Sequence, residues 1–249
     1  MIKILDKYQN IKIFQIGCGG TGSWLTPLVS KLVGNVQLNF TNTNIEYTLI
    51  DHDIVEQRNI IRQNFNEWDI GKNKALALTS HNIYNFNKLE FIKNKIQKKS
   101  LDEILTESIE IDDVLIFILG CVDSNRTRRI IYNVSKDVNL YMKKNRQSAN
   151  IVYIDSGNLL YNGQIVTTVF GLEDYPNNNH QNINFLKMFP AKKVEEETKS
   201  CAFFGDQSQA INSLAATLMY CCFQKILINS EIPPSLITFN SSGYSTFEI

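Results

Sequence analysis

The nine residues "IGCGGTGSW", positions 16–24, constrain the 249-residue chain more than any other stretch. They follow an apolar run over 11–16 and precede a segment in which Leu25, Leu28, Val29 and Leu32 recur at helical spacing. Gly17, Gly19 and Gly22 satisfy G-x-G-x-x-G, with Gly20 as a further glycine, in a strand–turn–helix setting. In such a setting the first glycine makes the turn. The second lets backbone N–H groups approach a phosphate, and the third lets the helix pack closely on the strand. The segment lacks G-x-x-x-x-G-K-[ST], which excludes a P-loop. Asp51 ends the next apolar strand and is placed to accept from ribose hydroxyls. Up to this point a hydride-donating dinucleotide and ATP fit equally well.

The rest of the chain extends the same pattern. Strands are expected at 11–16, 47–50, 89–96, 112–120 and 151–157, with helices from Ser23 to Val33, over 72–85 and over 125–136. The apolar run ending at Gly120 reads as a central parallel strand covered on both faces. "GNVQLNFTNTNIE", 34–46, is polar and irregular and reads as a loop insertion. After Gly157, "LLYNGQIVTTVFG" predicts a hairpin centred on Asn162-Gly163 with a type I′ turn. Residues 171–206 form a polar connection carrying Pro176 and Pro190. A long helix over 207–228, with Asp206 and Gln209 in cap positions, precedes a hairpin tail. The fold class is therefore α/β: a doubly wound, Rossmann-like, mostly parallel sheet with C-terminal antiparallel hairpins and a long helix, as one domain over 1–249.

Bulk properties narrow the partners. With 25 basic and 25 acidic side chains the formal net charge is zero, which leaves no electrostatic footprint for nucleic acid. No uninterrupted apolar run approaches membrane-span length, and the N-terminus does not read as a signal peptide, so a cytoplasmic protein without a membrane partner is expected. None of the five cysteines falls in a C-x-x-C pair, so no zinc is expected.

The residues beyond Asp51 separate the two nucleotide readings. The chain reads "DHDIVEQRNIIRQNF" over 51–65, "IGKNKA" over 70–75 and "GCVDSNRTRR" over 120–129. Hydride transfer has no need of Asn, Arg and Lys gathered beside a ribose carboxylate, whereas a triphosphate needs Arg forks and a compact Lys charge. Asp123, at the carboxyl end of a central strand, can hold Mg²⁺ at the switch point of the sheet.

Taken together, the G-x-G-G-x-G turn, the acidic residue after the second strand, N-x-x-R-Q, G-x-x-K and C-x-D resemble the ThiF/MoeB/ubiquitin-activating-enzyme family, over about residues 11–230. "GCGGTGS", "GCVD", the D-x-G-N at 155–158 and the "S-C" at 200–201 followed by "D…I-N" up to 212 are similar to ThiF-like proteins of bacterial PRTRC cassettes. The resemblance implies ATP-dependent adenylation of the C-terminal carboxylate of a small ubiquitin-like or sulfur-carrier protein, with ATP and Mg²⁺ in the site. It implies that Gly17, Gly19, Gly20 and Gly22 cradle the nucleotide and that Asp51 binds ribose. Asn59, Arg62 and Lys74 would hold phosphates, Gln63 would support the loop, and Asp123 would bind Mg²⁺. Relatives of this kind also pass the acyl group to a cysteine, for which Cys201 is the candidate, and pair as homodimers. Cys18 and Cys121 read as structural and Cys221 and Cys222 as core; Arg58, Arg126, Arg128 and Arg129 read as surface residues. No Arg precedes Arg58, so a trans arginine from the N-terminus of a partner is not expected. The competing readings are an NAD-linked oxidoreductase and a catalytically inactive nucleotide-binding scaffold.

Overall fold

A computed structural model describes residues 4–40, 42–83, 88–109, 113–145, 150–171, 183–190, 208–240 and 243–247. One turn, α1 (Ile4–Lys7), leads into β1 (Asn10–Ile16), α2 (Gly20–Asn39), β2 (Asn44–Ile50), α3 (Gln57–Ile60), α4 (Lys74–Asn82), β3 (Leu89–Ile92) and α5 (Lys98–Ser108). Then follow β4 (Val114–Gly120), α6 (Asn125–Lys144), β5 (Asn150–Asn158), β6 (Asn162–Phe170), α7 (Phe185–Met188), α8 (Gln209–Asn229), β7 (Leu236–Asn240) and β8 (Gly243–Phe247). The strands form one eight-stranded sheet in the order β3-β2-β1-β4-β5-β6-β7-β8. Pairings from β3 through β5 are parallel, and those from β5 to β8 are antiparallel.

Strand alternation explains the two-sided core. Ile11, Ile13, Tyr47, Leu49, Phe117 and Leu119 face one way, under α2, α4 and α8. Phe14, Ile16, Ile50, Ile116 and Ile118 face the other, under α5, α6 and α7. β4 is buried at all seven positions, as its unbroken apolar run predicts. Each fully buried side chain of this size contributes about 1.5–3 kcal/mol of transfer free energy. Phe223 meets Phe117 edge-on at 4.8 Å and fixes α8 to the middle of the sheet. By length and composition α8, at a mean hydropathy of 1.4, could cross a membrane, although its apolar residues are interrupted by polar ones. Its buried residues, from Ile211 to Leu227, instead pack into the core over the sheet.

Registry places the site. Ile16 lies opposite Ile50 on one side and Gly120 on the other. The three strands therefore end level, and Gly17, Asp51 and Cys121 leave the sheet side by side. The strand order reverses at β1, so these loops diverge and leave a crevice at the switch point.

Several local expectations are corrected. The stretch 34–46 is not a loop insertion: α2 continues to Asn39 because Val33 and Val36 are buried at helical spacing, while Asn35 and Asn39 are exposed on its outer face. β2 then begins at Asn44 and β3 stops at Ile92. The helix expected over 72–85 spans Lys74–Asn82, with the Asn73 side chain capping Leu76 N–H at 3.1 Å. α3 and α5 carry no sequence expectation; both are short and weakly apolar. The β5–β6 hairpin is not centred on Asn162-Gly163. Asn158 pairs with Gly163, and Leu159 N–H donates to the Asn162 carbonyl, so the tip is Leu160-Tyr161. Gly163 is required instead because a Cβ there would strike the Phe239 ring of β7. Ser208 caps α8, its Oγ accepting from Ile211 N–H at 3.0 Å; Asp206 lies outside the described residues, as does most of the polar connection over 171–206.

Candidate functional site

The glycines of the turn divide their work as local sterics require. Gly17 adopts φ of +98°, and a Cβ on it would run into the Cys121 carbonyl. A Cβ on Gly22 would strike the Gly17 carbonyl. These two positions are closed by packing. Gly19 is open: a Cβ there would meet only Gln63 Nε2, at 3.8 Å. Gly19 also caps α2 without a side-chain acceptor, and Gly20 begins the helix, so the first-turn N–H groups have no side-chain cap. The turn is propped from below by Gln15, fully buried, whose Nε2 donates to the carbonyls of Gly17 (3.2 Å) and Gly22 (3.0 Å). Tyr47 Oη in turn donates to Gln15 Oε1 at 2.5 Å.

Asp51 joins the turn to the next loop. Its Oδ2 accepts from Cys18 N–H at 2.6 Å and its Oδ1 from Asp53 N–H at 2.8 Å. Burial pushes the Asp51 carboxyl above its ordinary range, against these N–H bonds and the Lys74 charge, which pull it down. Each oxygen keeps acceptor capacity for a hydroxyl donor. Beyond it, Lys74 is buried and its Nζ lies 3.2 Å from Asp53 Oδ2, while Asp53 is half-exposed. His52 Nε2 approaches the same carboxylate at 3.4 Å. Asn73 Nδ2 ties the strand end down through the Asp51 and Asp53 carbonyls at 2.8 and 3.0 Å.

The loop after α3 faces the turn. Asn59 is buried and its Oδ1 accepts from Glu56 N–H at 2.8 Å, which closes a capping box, so part of its side chain is used structurally. Gln63 is buried, its Nε2 3.8 Å from where a Cβ on Gly19 would stand and its Oε1 buried without a hydrogen-bond partner. The Arg62 guanidinium is partly exposed and has no ion-pair or hydrogen-bond partner among the described residues. Asn64 N–H donates to Ser23 Oγ at 2.9 Å and seats this loop on the start of α2.

Across the crevice stands Asp123, exposed in the loop between β4 and α6, its carboxylate unengaged by the described residues. Behind it Arg128, expected on the surface, is instead buried. Its Nε donates to Asp155 Oδ1 at 2.8 Å, and Tyr153 Oη donates to Asp155 Oδ2 at 2.6 Å. Burial raises the Asp155 carboxyl to about 6, although Arg128 and the Tyr153 hydrogen bond oppose the rise. At the far end of β5, Asn158 accepts from Thr21 Oγ1 at 3.2 Å and donates through Nδ2 to Asn212 Oδ1 at 2.5 Å. Asn212 Nδ2 reaches the Arg62 carbonyl at 3.5 Å. Glycine turn, β5, α8 and the Arg62 loop are thus linked in one chain.

The structure therefore brings Gly17, Gly19, Gly20, Gly22, Asp51, Asn59, Arg62, Gln63 and Lys74 to one end of the sheet, with Asp123 at the end of the adjoining strand. Cys201 lies outside the described residues. Cys18 is buried and Cys121 half-buried, and burial of both thiols pushes them well up, which makes them inert. Cys222 is core and pushed up to about 12, whereas Cys221, expected in the core, is exposed. Among the described residues the group able to present three metal-type donors close together is Asp51, His52 and Asp53, which Lys74 already neutralises in part. Residue-by-residue reading missed Arg128, Asp155 and Asn212 as parts of the site; the D-x-G-N at 155–158 and the Asn ending the last motif were the available signals.

The ThiF family profile matches residues 3–248. No curated protein matches by sequence. Among solved structures the chain is similar to PaaA, with a TM-score of 0.61 at 18% identity over 99% of this chain and 66% of that one. It is also similar to Escherichia coli MccB with ATP, at 0.61 and 20% identity over 98% and 65% of the two chains. A structure of the microcin C7 biosynthetic enzyme MccB in complex with N-formylated MccA gives 0.62 and 20% over 98% and 66%. The chain spans just under two thirds of the length of these structures, and at such identities the likeness is one of fold. The family match covers nearly the whole sequence, and the fold and the level strand ends carry the same motif order: the chain belongs to the ThiF family.

Proposed function

We propose that the protein is an ATP-dependent adenylyltransferase that activates the terminal carboxylate of a small protein or peptide. The observation that carries this reading is the open Gly19 edge of the turn, with the Gln63 amide Nε2, a donor, 3.8 Å from where a Cβ would stand, the side-chain-uncapped start of α2, Arg62 on the same loop as Gln63, and the Lys74 cation. A polyphosphate fits that set, whereas a nicotinamide cofactor leaves the cations idle. Solved MccB bound to ATP and MccB bound to MccA lend the same reading a nucleotide and a small substrate.

In the proposed reaction a carboxylate oxygen attacks the α-phosphorus of ATP and pyrophosphate leaves. Asp51 orients the ribose through its free lone pairs. The α2 N–H groups near Gly19 hold phosphate oxygens. Lys74 exchanges Asp53 for phosphate, and Arg62 closes on the same charge, so the growing negative charge on pyrophosphate meets fixed cations. No protein base is required, because the attacking carboxylate is already ionised. Asp123 fits a Mg²⁺ ligand, being an exposed hard oxygen donor at the strand end. The ion, when bound, would supply charge neutralisation on the phosphates.

The carboxylate belongs to a small ubiquitin-like or sulfur-carrier protein, and in a second step the Cys201 thiolate attacks the acyl carbon of the adenylate, forming a thioester as AMP leaves, within a cytoplasmic homodimer. ATP–pyrophosphate exchange in the presence of such a carrier tests the first step. Carrier-dependent exchange is expected. Calorimetry showing NAD bound and ATP unbound would overturn the reading.

A further inference from the structure

Arg128, in the first turn of α6, has only 7% of its side chain exposed, yet it is placed among carbonyls rather than facing a ligand. Its five N–H donors find five acceptors. Nε bonds Asp155 Oδ1 at 2.8 Å, and Nη2 bonds the Ser156 carbonyl at 2.8 Å and the Val122 carbonyl. Nη1 bonds Asn125 Oδ1 at 3.2 Å and reaches the Asp123 carbonyl at 3.4 Å. The Phe189 ring lies 5.0 Å from the guanidinium carbon and closes the site from the side of α7.

Two of those acceptors are the backbone of the residues that present Asp123. Cys121 and Val122 pack against the cores, whereas Asp123 is exposed and its carbonyl is held from behind by the guanidinium. We propose that Arg128 is a positioning residue: its guanidinium clamps the Val122 and Asp123 carbonyls to the end of β5 and so holds the Asp123 carboxylate in place for a divalent cation. This rests on the reading of Asp123 as a cation ligand given under Proposed function. Asp155 and Tyr153 have the supporting task of fixing the guanidinium plane. A lysine would keep the charge beside Asp155 but, with a point charge on a flexible stem, could not hold three backbone carbonyls in one plane.

The test uses the full chain carrying Arg128→Lys, with Mn²⁺ as the probe. Binding of Mn²⁺ to the ATP-saturated protein is followed by electron paramagnetic resonance, metal-free ATP binding by calorimetry, and the Mg²⁺ concentration for half-maximal pyrophosphate exchange by titration. Outer partners of metal ligands typically govern affinity by about 10–100-fold. The expected result is Mn²⁺ binding weakened about 10-fold, a matching rise in the Mg²⁺ requirement, and metal-free ATP affinity within about 2-fold of wild type. Wild-type Mn²⁺ affinity in a folded Arg128→Lys protein would overturn the proposal, as would equal losses of metal and metal-free ATP affinity, which mark a purely structural role. If Arg128→Lys does not fold, the neutral pair Arg128→Gln with Asp155→Asn is measured in its place, under the same expectation and the same overturning results. Undiminished Mn²⁺ binding in Asp123→Asn would remove the ligand reading itself, and the clamp proposal with it, while leaving ATP–pyrophosphate exchange free to stand.

Discussion

The two sides of the crevice are built from different materials. On the β1–β2 side the groups facing the open space are backbone N–H groups and a cation held by a half-exposed carboxylate: Lys74 sits against Asp53, which is 52% exposed. On the β4–β5 side, behind the exposed Asp123, the charge pair is sealed, with Arg128 at 7% and Asp155 at 0% exposure. An ion pair with one partner in solvent contributes only about 0–1 kcal/mol, so phosphate can replace Asp53 at little cost. A buried pair stripped of one partner loses about 3–5 kcal/mol. The exchangeable side suits ligand contact, and the sealed side holds geometry.

The largest effect should come from breaking the sealed side. Arg128→Ala leaves Asp155 buried and uncompensated, and urea unfolding should show a loss of about 3–5 kcal/mol. A loss below about 1 kcal/mol would mean that the two sides do not differ in kind.

Next comes the exchangeable side. Lys74→Ala should lower carrier-dependent pyrophosphate exchange by about 10²–10³-fold, the typical loss on removing one charge-stabilising donor. Its urea midpoint should move little, because Asp53 regains water. A large stability loss with little kinetic effect would place Lys74 with Arg128 instead.

The sealed side should also be legible in pH. The Asp155 carboxyl is raised from 3.8 to about 6, chiefly by burial, with Arg128 opposing. Between those values the unfolded chain has released a proton that the folded chain keeps. Rising pH therefore favours the unfolded state, and this group's contribution to stability falls across the window, by an amount on the order of 1–3 kcal/mol. Asp155→Asn should remove that slope. Parallel stability–pH curves for wild type and variant between pH 4 and 6 would contradict the raised value.

The smallest effect sharpens the role of α8, whose Asn212 reaches both sides. Ser208→Ala removes the cap on Ile211 N–H and should cost about 1 kcal/mol. It should leave ATP affinity unchanged if Asn212 is held mainly by Asn158.

What was legible in the sequence was whatever neighbouring residues encode together. The glycine turn announces itself because steric permissiveness at Gly17 and Gly22 and openness at Gly19 are demanded within six consecutive residues. The β4 run and Asp51 are equally local: one needs apolar side chains on both faces, the other a carboxylate one residue beyond a strand. The parallel order and the antiparallel close follow from the same short-range patterns. Only the tertiary structure decided which polar residues were taken out of water. Arg128 reads like its neighbours Arg126 and Arg129 on a charged helix, and its burial depends on a carboxylate 27 residues away on β5. Asn158 and Asn212 meet across 54 residues, through strand and helix ends that no local pattern relates. The length of α2, the hairpin tip at Leu160-Tyr161 and the exposure of Cys221 were settled in the same way, by which face a neighbouring element covers. Periodicity and turn chemistry act over a few residues, whereas desolvation of a charge depends on everything packed around it, and that is assembled only when the chain is folded.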